Sequence, residues 1–510
     1  MSIDVDYKVY IDWNDDGDFA DTNEDVSEYF RSIKIDRGRS DVNDDYSPGK
    51  CTVKFSDHGG LLSPFDTSSA LSGSIRPGHA MKIEAEIGMT AVPLFYGFIR
   101  SIDEDRESTE LYPLTIQAFD ALEYFRRGSL TLDLAESSRV DTMLASVLDE
   151  VSVFGAAWPA GLRDLETAFF TIDIFTRYRK APLSIMREIA LQELGGHLYA
   201  AKDGKVTFKN RWYRTGLASS GTIGLGQDLE ARAFNLSLSL DDYVDQVEFT
   251  RAGLDIDDAT TVLYTLTPTG RAVAPGASSA LNTIHGEFSV AGKDIVTPVA
   301  TTDWVFNSEP DGSGIDRTGI VTVDSFQSYG GGFSITFNNA DASTVYLTQL
   351  QIRGKQIRRS NDERKIIVTA SNPLISDQVL QETYDWNDDA DLIRAYANLK
   401  AAVLNTVRPR PPVIITPSDN TQLTLALNTE LGAKYRLLDT SGLNPTGVDA
   451  QFHVEKIKLD LKPKTLPQIT WHLWHEDQAQ GNWFRVSPDA GDAYSVIATD
   501  AATEYDRIGI

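Results

Sequence analysis

Residues 75–103 read IRPGHAMKIEAEIGMTAVPLFYGFIRSID. Pro77-Gly78 makes a turn, and Met81, Ile83, Ala85 and Ile87 then alternate with Lys82, Glu84 and Glu86. That period of two belongs to a strand with one buried face. Gly88 interrupts the run, and Leu94, Phe95, Phe98 and Ile99 resume it around Gly97. An isolated glycine within a strand marks a bulge or a close backbone approach, as a curling sheet requires. A third run covers Leu111–Phe119, and Asp120 opens a short helical stretch that ends at Arg126-Arg127-Gly128. The pattern predicts a small antiparallel barrel and states no function.

The chain around it has 510 residues, too many for a single core, so roughly three to five domains are expected. No apolar run approaches the about 20 residues of a membrane span, and the start MSIDVDYKVY has neither the basic nor the apolar segment of a secretory signal. The lone cysteine, Cys51, excludes an intramolecular disulfide and reads as a small packed hydrophobe. A net charge of −27 argues against stable nucleic-acid binding, which needs a positive surface to displace counterions from phosphates.

Upstream, residues 6–12 form a first strand that runs into Asp12-Trp-Asn14-Asp15-Asp16-Gly17-Asp18-Phe19. Asp12, Asn14 and Asp16 at spacing i, i+2, i+4, followed by Gly17, match the first half of a calcium loop. The second half fits poorly, because the twelfth position is Asn23 and the nearest glutamate is Glu24. The candidate is therefore a structural Ca2+ held by Asp12, Asn14, Asp16, Asp18 and Glu24, with Asp21 an alternative to Glu24. The competing reading is an Asx-rich turn without metal. No other cofactor is expected. Strands at Tyr29–Ile35 and Cys51–Phe55, separated by Arg37-Gly38-Arg39 and followed by an Asp57–Phe65 loop, complete about six strands over residues 1–127.

In order, a strand running into DWNxDGDF, the RGR triplet, the Asp57–Phe65 loop with its LSPF end, I-R-P-G at 75–78 and L-F-x-G-x-I at 94–99 resemble the minor tail proteins of long-tailed bacteriophages. The likeness is to the tail-hub type, related in fold to the baseplate hub of contractile tails. It implies a mainly β fold with an α+β subdomain: two hub-type β-barrels, a helix-hairpin domain and an inserted β-sandwich.

Residues 128–215 carry two helices. Val140, Leu144, Val147, Leu148 and Val151 share a face behind Ser137-Ser138, which read as N-capping residues. The second begins at Pro182 and stops at Gly195-Gly196. Lys202-Asp203-Gly204 then turns a β-hairpin. The stretch MREIALQELGGHLYAAKDGKVTFKNR also fits the tail-hub pattern. Glu188 and Glu193, five apart, read as a solvated helix face. Residues 216–256 hold strands, including Leu236–Leu240 and Val244–Phe249, assigned to a second barrel that residues 356–476 complete.

Between them, residues 257–355 are rich in Thr, Ser, Gly and Val, with short strands at 261–265, 286–290, 303–307, 320–325, 333–338 and 345–353, the spacing of a β-sandwich. Trp304 and Phe306 would have to be exposed to bind a glycan, and their spacing favours core packing. In the final part, Asp388–Leu404 reads as a helix opened by acidic residues that favour its dipole, and 421–427 as a strand. Residues 477–510 form a C-terminal arm.

No nucleophile elbow, phosphate loop or dinucleotide fingerprint is present, so no enzyme is expected. His472 and His475 lie on a strand-like run and should face opposite ways. The resemblance implies a structural virion protein at the distal tail tip, made in the host cytoplasm. As a homotrimer it would close the tail tube and hold tail-tube, tape-measure and fibre or receptor-binding proteins, with DNA passing only in transit. The alternative is a secreted carbohydrate-binding or adhesive β-protein using 257–355.

Overall fold

The computed structural model describes residues 4–476 apart from 42, 58, 106–111, 154–155, 215–216, 235–242, 252–253, 267–269, 285–290, 360–363, 371–377, 388, 407 and 439–447, together with the short strands Val496–Ile497 and Ile508–Gly509. The expected strands at 236–240 and 286–290 lie outside the described residues, as does nearly all of the 477–510 arm.

The fold is mainly β. Six strands come first: β1 (Val5–Ile11), β2 (Phe30–Gly38), β3 (Ser47–Asp57), β4 (Ala80–Ile87), β5 (Thr90–Glu104) and β6 (Tyr112–Phe119), hydrogen-bonded in the order β1-β4-β5-β6-β3-β2. The alternation in β4 works as expected, with Met81, Ile83 and Ala85 fully buried. Gly88 makes the two-residue turn to β5 with φ +63°, and Ile87 pairs with Thr90. Gly97 is the close approach: a Cβ there would sit 2.2 Å from the Phe119 carbonyl oxygen. Cys51 is buried in this sheet, and burial pushes its thiol pKa up.

The outer edge of β2 does not end the sheet. It pairs antiparallel with the C-terminal strand Asp449–Leu461, from Ile33↔Leu461 to Gly38↔Lys456. Beyond that strand lie Gln468–His475, Pro412–Ile415 and Ala231–Phe234, while Lys434–Leu438 pairs with 449–461 and with Thr222–Ile223, giving one curled sheet of 12 strands. Strands Phe30–Gly38 and Asp449–Leu461, more than 400 residues apart in sequence, thus set the two strand sets side by side. One hydrophobic core runs under both, from Tyr7, Val53 and Ile83 to Tyr435, Phe452 and Trp471.

Against the other face of β4 and β5 pack three helices, Ala121–Phe125, Val140–Glu150 and Pro182–Leu191, which enclose Trp158 and Phe175 together with Ala80 and Phe98. Asp120 caps the first, accepting from the Leu122 N–H at 3.0 Å. The expected Ser137-Ser138 cap does not form. Both serines belong to the strand Leu130–Arg139, in which Ser138 pairs with Ile172, and the helix starts without a side-chain cap at Arg139.

Two other assignments change. Gln246–Arg251 is not in the large sheet: it pairs with Arg364–Thr369 and Val379–Tyr384. Its apolar face finds cover in helix Ala390–Leu404, where Tyr396 lies 5.5 Å from Phe249 between ring centres. Residues 421–427 are helical within Asn420–Asn428, because Asp419 accepts from the Gln422 N–H at 2.8 Å and Leu423, Ala426 and Leu427 share the buried face.

Residues 254–359 form two facing sheets. Val345–Arg359 anchors one and Gly332–Asn339 the other, with Phe306, Phe333, Phe337 and Leu350 between them. In sequence the sandwich lies between the paired strands Gln246–Arg251 and Arg364–Thr369.

Candidate functional site

Two places concentrate polar side chains that the fold has taken out of water. The first is the 12–24 loop. β1 delivers Asp12 into the rim of the sheet, where its backbone N–H donates to the Ala80 carbonyl. Positive φ at Asp15 (61°), Gly17 (89°) and Asn23 (71°) coils the following backbone. The exposed acids form Asx turns: the Asp16 N–H donates to Asn14 Oδ1, Asp18 to Asp16 and Ala20 to Asp18. Asn14 turns its amide nitrogen to Asp16 and Asp21.

Asp12 and Glu24 behave differently. They are 0% and 1% exposed. Asp12 Oδ2 accepts from the Gly17 N–H at 2.9 Å and Glu24 Oε2 from the Asp21 N–H at 2.9 Å. Asp12 Oδ1 and Glu24 Oε1 are buried with no hydrogen-bond partner. Burial raises the Glu24 pKa, with the Asp12 charge adding to it against the Asp21 N–H. Of the five predicted ligands the fold thus buries two, while Asn14, Asp16 and Asp18 serve the turn itself.

The second place is the junction of the two strand sets. Glu455, fully buried on the 449–461 strand, accepts from Arg39 Nε and from the Tyr46 hydroxyl, each at 2.8 Å, and pairs with Arg214. Arg214 also donates to the Tyr46 oxygen at 2.9 Å. Arg39 stacks on Tyr46 and Trp474. Burial alone would raise the Glu455 pKa, yet the Arg214 and Arg39 guanidiniums outweigh it and hold the carboxyl well below the usual range. A polar cavity of about 120 Å³ opens beside the cluster, bordered by Arg187, His197 and Lys400. Here β2, the 197–214 region and the C-terminal strands meet through charge.

Next to Glu455, His453 places Nδ1 2.8 Å from the Gly432 carbonyl and is completely buried. Burial, reinforced by Arg214, pushes its pKa down to about 4, against the opposing pull of the Gly432 hydrogen bond. The folded state therefore keeps it neutral while the unfolded chain protonates below about 6.5. Its contribution is complete above that pH and drains away as pH falls toward 4, to a limit of about 3 kcal/mol. Thermal melts between pH 7 and 4.5 should show this loss, and His453→Gln should flatten that part of the profile.

The remaining sequence candidates separate. His472 pairs across the sheet with Lys456 on its outer side, whereas His475 contacts Phe452, a core residue, at 5.4 Å between ring centres. They share no site. Trp304 and Phe306 are 5% and 0% exposed, buried in the sandwich rather than offered as platforms. Glu188 pairs with Arg177, as a surface residue can. Glu193 does not lie on a solvated face: it is fully buried, 3.1 Å from Arg211 Nε, and accepts the N–H groups of Phe169 and Phe170. Asp389 caps helix Ala390–Leu404 through the Asp391 and Leu392 N–H groups.

No family model and no curated protein matches the chain. Among solved structures it is similar to the 43 kDa tail protein of prophage MuSo2 from Shewanella oneidensis, at 9% identity over 93% of this chain and 99% of that one, with a TM-score of 0.47. A tail protein from Neisseria meningitidis MC58 aligns at 10% identity over 94% and 98%, TM-score 0.48. An E. coli type VI secretion component, described as similar to the T4 tail proteins gp27 and gp5, aligns at 8% over 92% and 78%, TM-score 0.41.

Proposed function

We propose that the chain is a structural protein of a phage-type tail whose copies close into a ring at the distal end of the tube. The observation that carries this reading is the ladder Ile33↔Leu461 to Gly38↔Lys456, which sets two strand assemblies from opposite ends of the chain edge to edge over one core. The ordered motifs of residues 1–127 and the 182–210 stretch support it from the sequence side. Two neighbouring strand assemblies per subunit give a three-fold ring six positions, the simplest match to a six-fold tube. In this reading the work is mechanical. The ring closes the tube, holds the tape-measure protein and carries fibres or receptor-binding proteins, and the net charge of −27 keeps passing DNA from adhering.

The test is the assembly state. Sedimentation of the purified full chain should give a trimer, and electron microscopy of mixtures with isolated tail tubes should place it at one tube end. A strict monomer that never joins tubes would overturn the reading.

A further inference from the structure

We propose that the 12–24 loop binds one hard divalent cation, Ca2+, anchored by the buried carboxylates of Asp12 and Glu24. This is independent of the tail reading. It starts from charge balance. Residues 12–24 contain six carboxylates, and among the described residues ion pairs neutralise one of them: Asp15 meets Arg76 at 2.6 Å and His79 at 2.7 Å. Four exposed or turn-bound acids would cost little in water. Two carboxylates within a few per cent of full burial cost much more.

Hydrogen bonding sharpens the point. The loop has already arranged itself so that each of the two buried groups has one oxygen occupied by a backbone N–H, Gly17 for Asp12 and Asp21 for Glu24. The other oxygen of each is buried and unpartnered. A buried carboxylate oxygen without a donor loses its hydration and gains nothing in return, and such atoms are uncommon in native folds. A cation between them supplies both missing interactions and cancels the repulsion.

The donor chemistry selects the ion. Both buried anchors offer carboxylate oxygens, and the ring nitrogens of His79 beside the loop are already engaged by Asp15 and the Ser74 carbonyl. The remaining positions are then filled by loop carbonyls and water. Six to eight oxygens from mixed sources on a coiled loop suit Ca2+, whereas Mg2+ demands a stricter octahedron and Zn2+ prefers nitrogen and sulfur. The position gives the ion a structural role, since Asp12 is bonded to Ala80 and Asp15 to the 76–79 turn, so filling the loop pins β1 to β4 at the rim.

Trp13 makes the test direct, because its indole donates to the Asn23 carbonyl inside the same loop. Tb3+ added to the purified full chain should show emission sensitised through tryptophan, and Ca2+ should displace it at a stoichiometry of one per chain. Ca2+ should raise the melting temperature by a few degrees over EGTA, with Mg2+ less effective. Asp12→Asn and Glu24→Gln should each weaken Ca2+ binding roughly tenfold or more. A melting temperature indifferent to EGTA with no displaceable Tb3+ signal overturns the proposal even if the variants fail to fold. Folded variants that keep wild-type Ca2+ affinity overturn it as well.

Discussion

Gly38→Ala should cost about 3–5 kcal/mol and lower the melting temperature far more than an alanine at any open glycine of the same sheet. Gly38 has φ +119°, outside the left-handed well that an L residue can enter. A Cβ built there lies 2.1 Å from the Glu455 carbonyl oxygen and 2.6 Å from the Lys456 Cα. Both atoms belong to backbone, so no rotamer change relieves the overlap. The ladder must open at the point where β2 and the 449–461 strand approach most closely. Gly88→Ala is the control: φ is +63° and nothing lies within 4 Å of the added carbon. It carries only the conformational cost, about 1 kcal/mol. Thermal unfolding of both variants decides the matter. Equal losses would mean that the close contact at Gly38 contributes nothing and that the two strand sets are held together elsewhere.

The side-by-side placement of the two strand sets was expected from the sequence, and the buried charge between them was not. The β4–β5 hairpin was legible because one face is core and the other water, which writes a period of two into Met81–Ile87. Helix Ala390–Leu404 was legible from the acids before it, but its buried face is Ile393, Tyr396, Ala397, Ala401 and Leu404 and shares only Tyr396 with the stripe Leu392, Tyr396, Leu399 and Val403 read from the sequence. At 452–455 the rule fails, since Phe452, His453, Val454 and Glu455 are all buried. Both faces of the strand are covered there, and the register shifts between Val454 and Lys456, so alternation does not tell which of these side chains the core takes. Glu193 misleads in the same way, at a helix end covered by Arg211. Residues 421–427 fail for a different reason. Leu423, Leu425 and Leu427 fit a strand while Leu423, Ala426 and Leu427 fit a helix, and only the capping hydrogen bond of Asp419 separates them. The acidic loop was visible as composition and spacing. Which two oxygens it buries depends on the fold.

Glu455→Gln tests the charge at that junction. The substitution keeps the size and leaves the Arg39 and Arg214 guanidiniums buried without their shared anion, a loss of about 3–5 kcal/mol. Its pH dependence separates this cause from a packing defect. The Glu455 pKa is depressed in the folded state, so its stabilisation is present above the unfolded value of 4.5 and drains away as pH falls through the depressed folded value. The stability difference between wild type and Glu455→Gln should therefore stay level from pH 7 to about 4.5 and narrow only below it. The Glu455 charge itself holds the His453 pKa up against burial, so the comparison is made in a His453→Gln background, where that titration is absent. Pairing the variant with Arg39→Gln adds a second readout. If the ion pair is the cause, removing Arg39 recovers part of the loss, since one uncompensated cation is gone. A difference that stays level well below pH 4.5, or a double variant whose losses simply add, would show that Glu455 stabilises the junction by shape and not by charge.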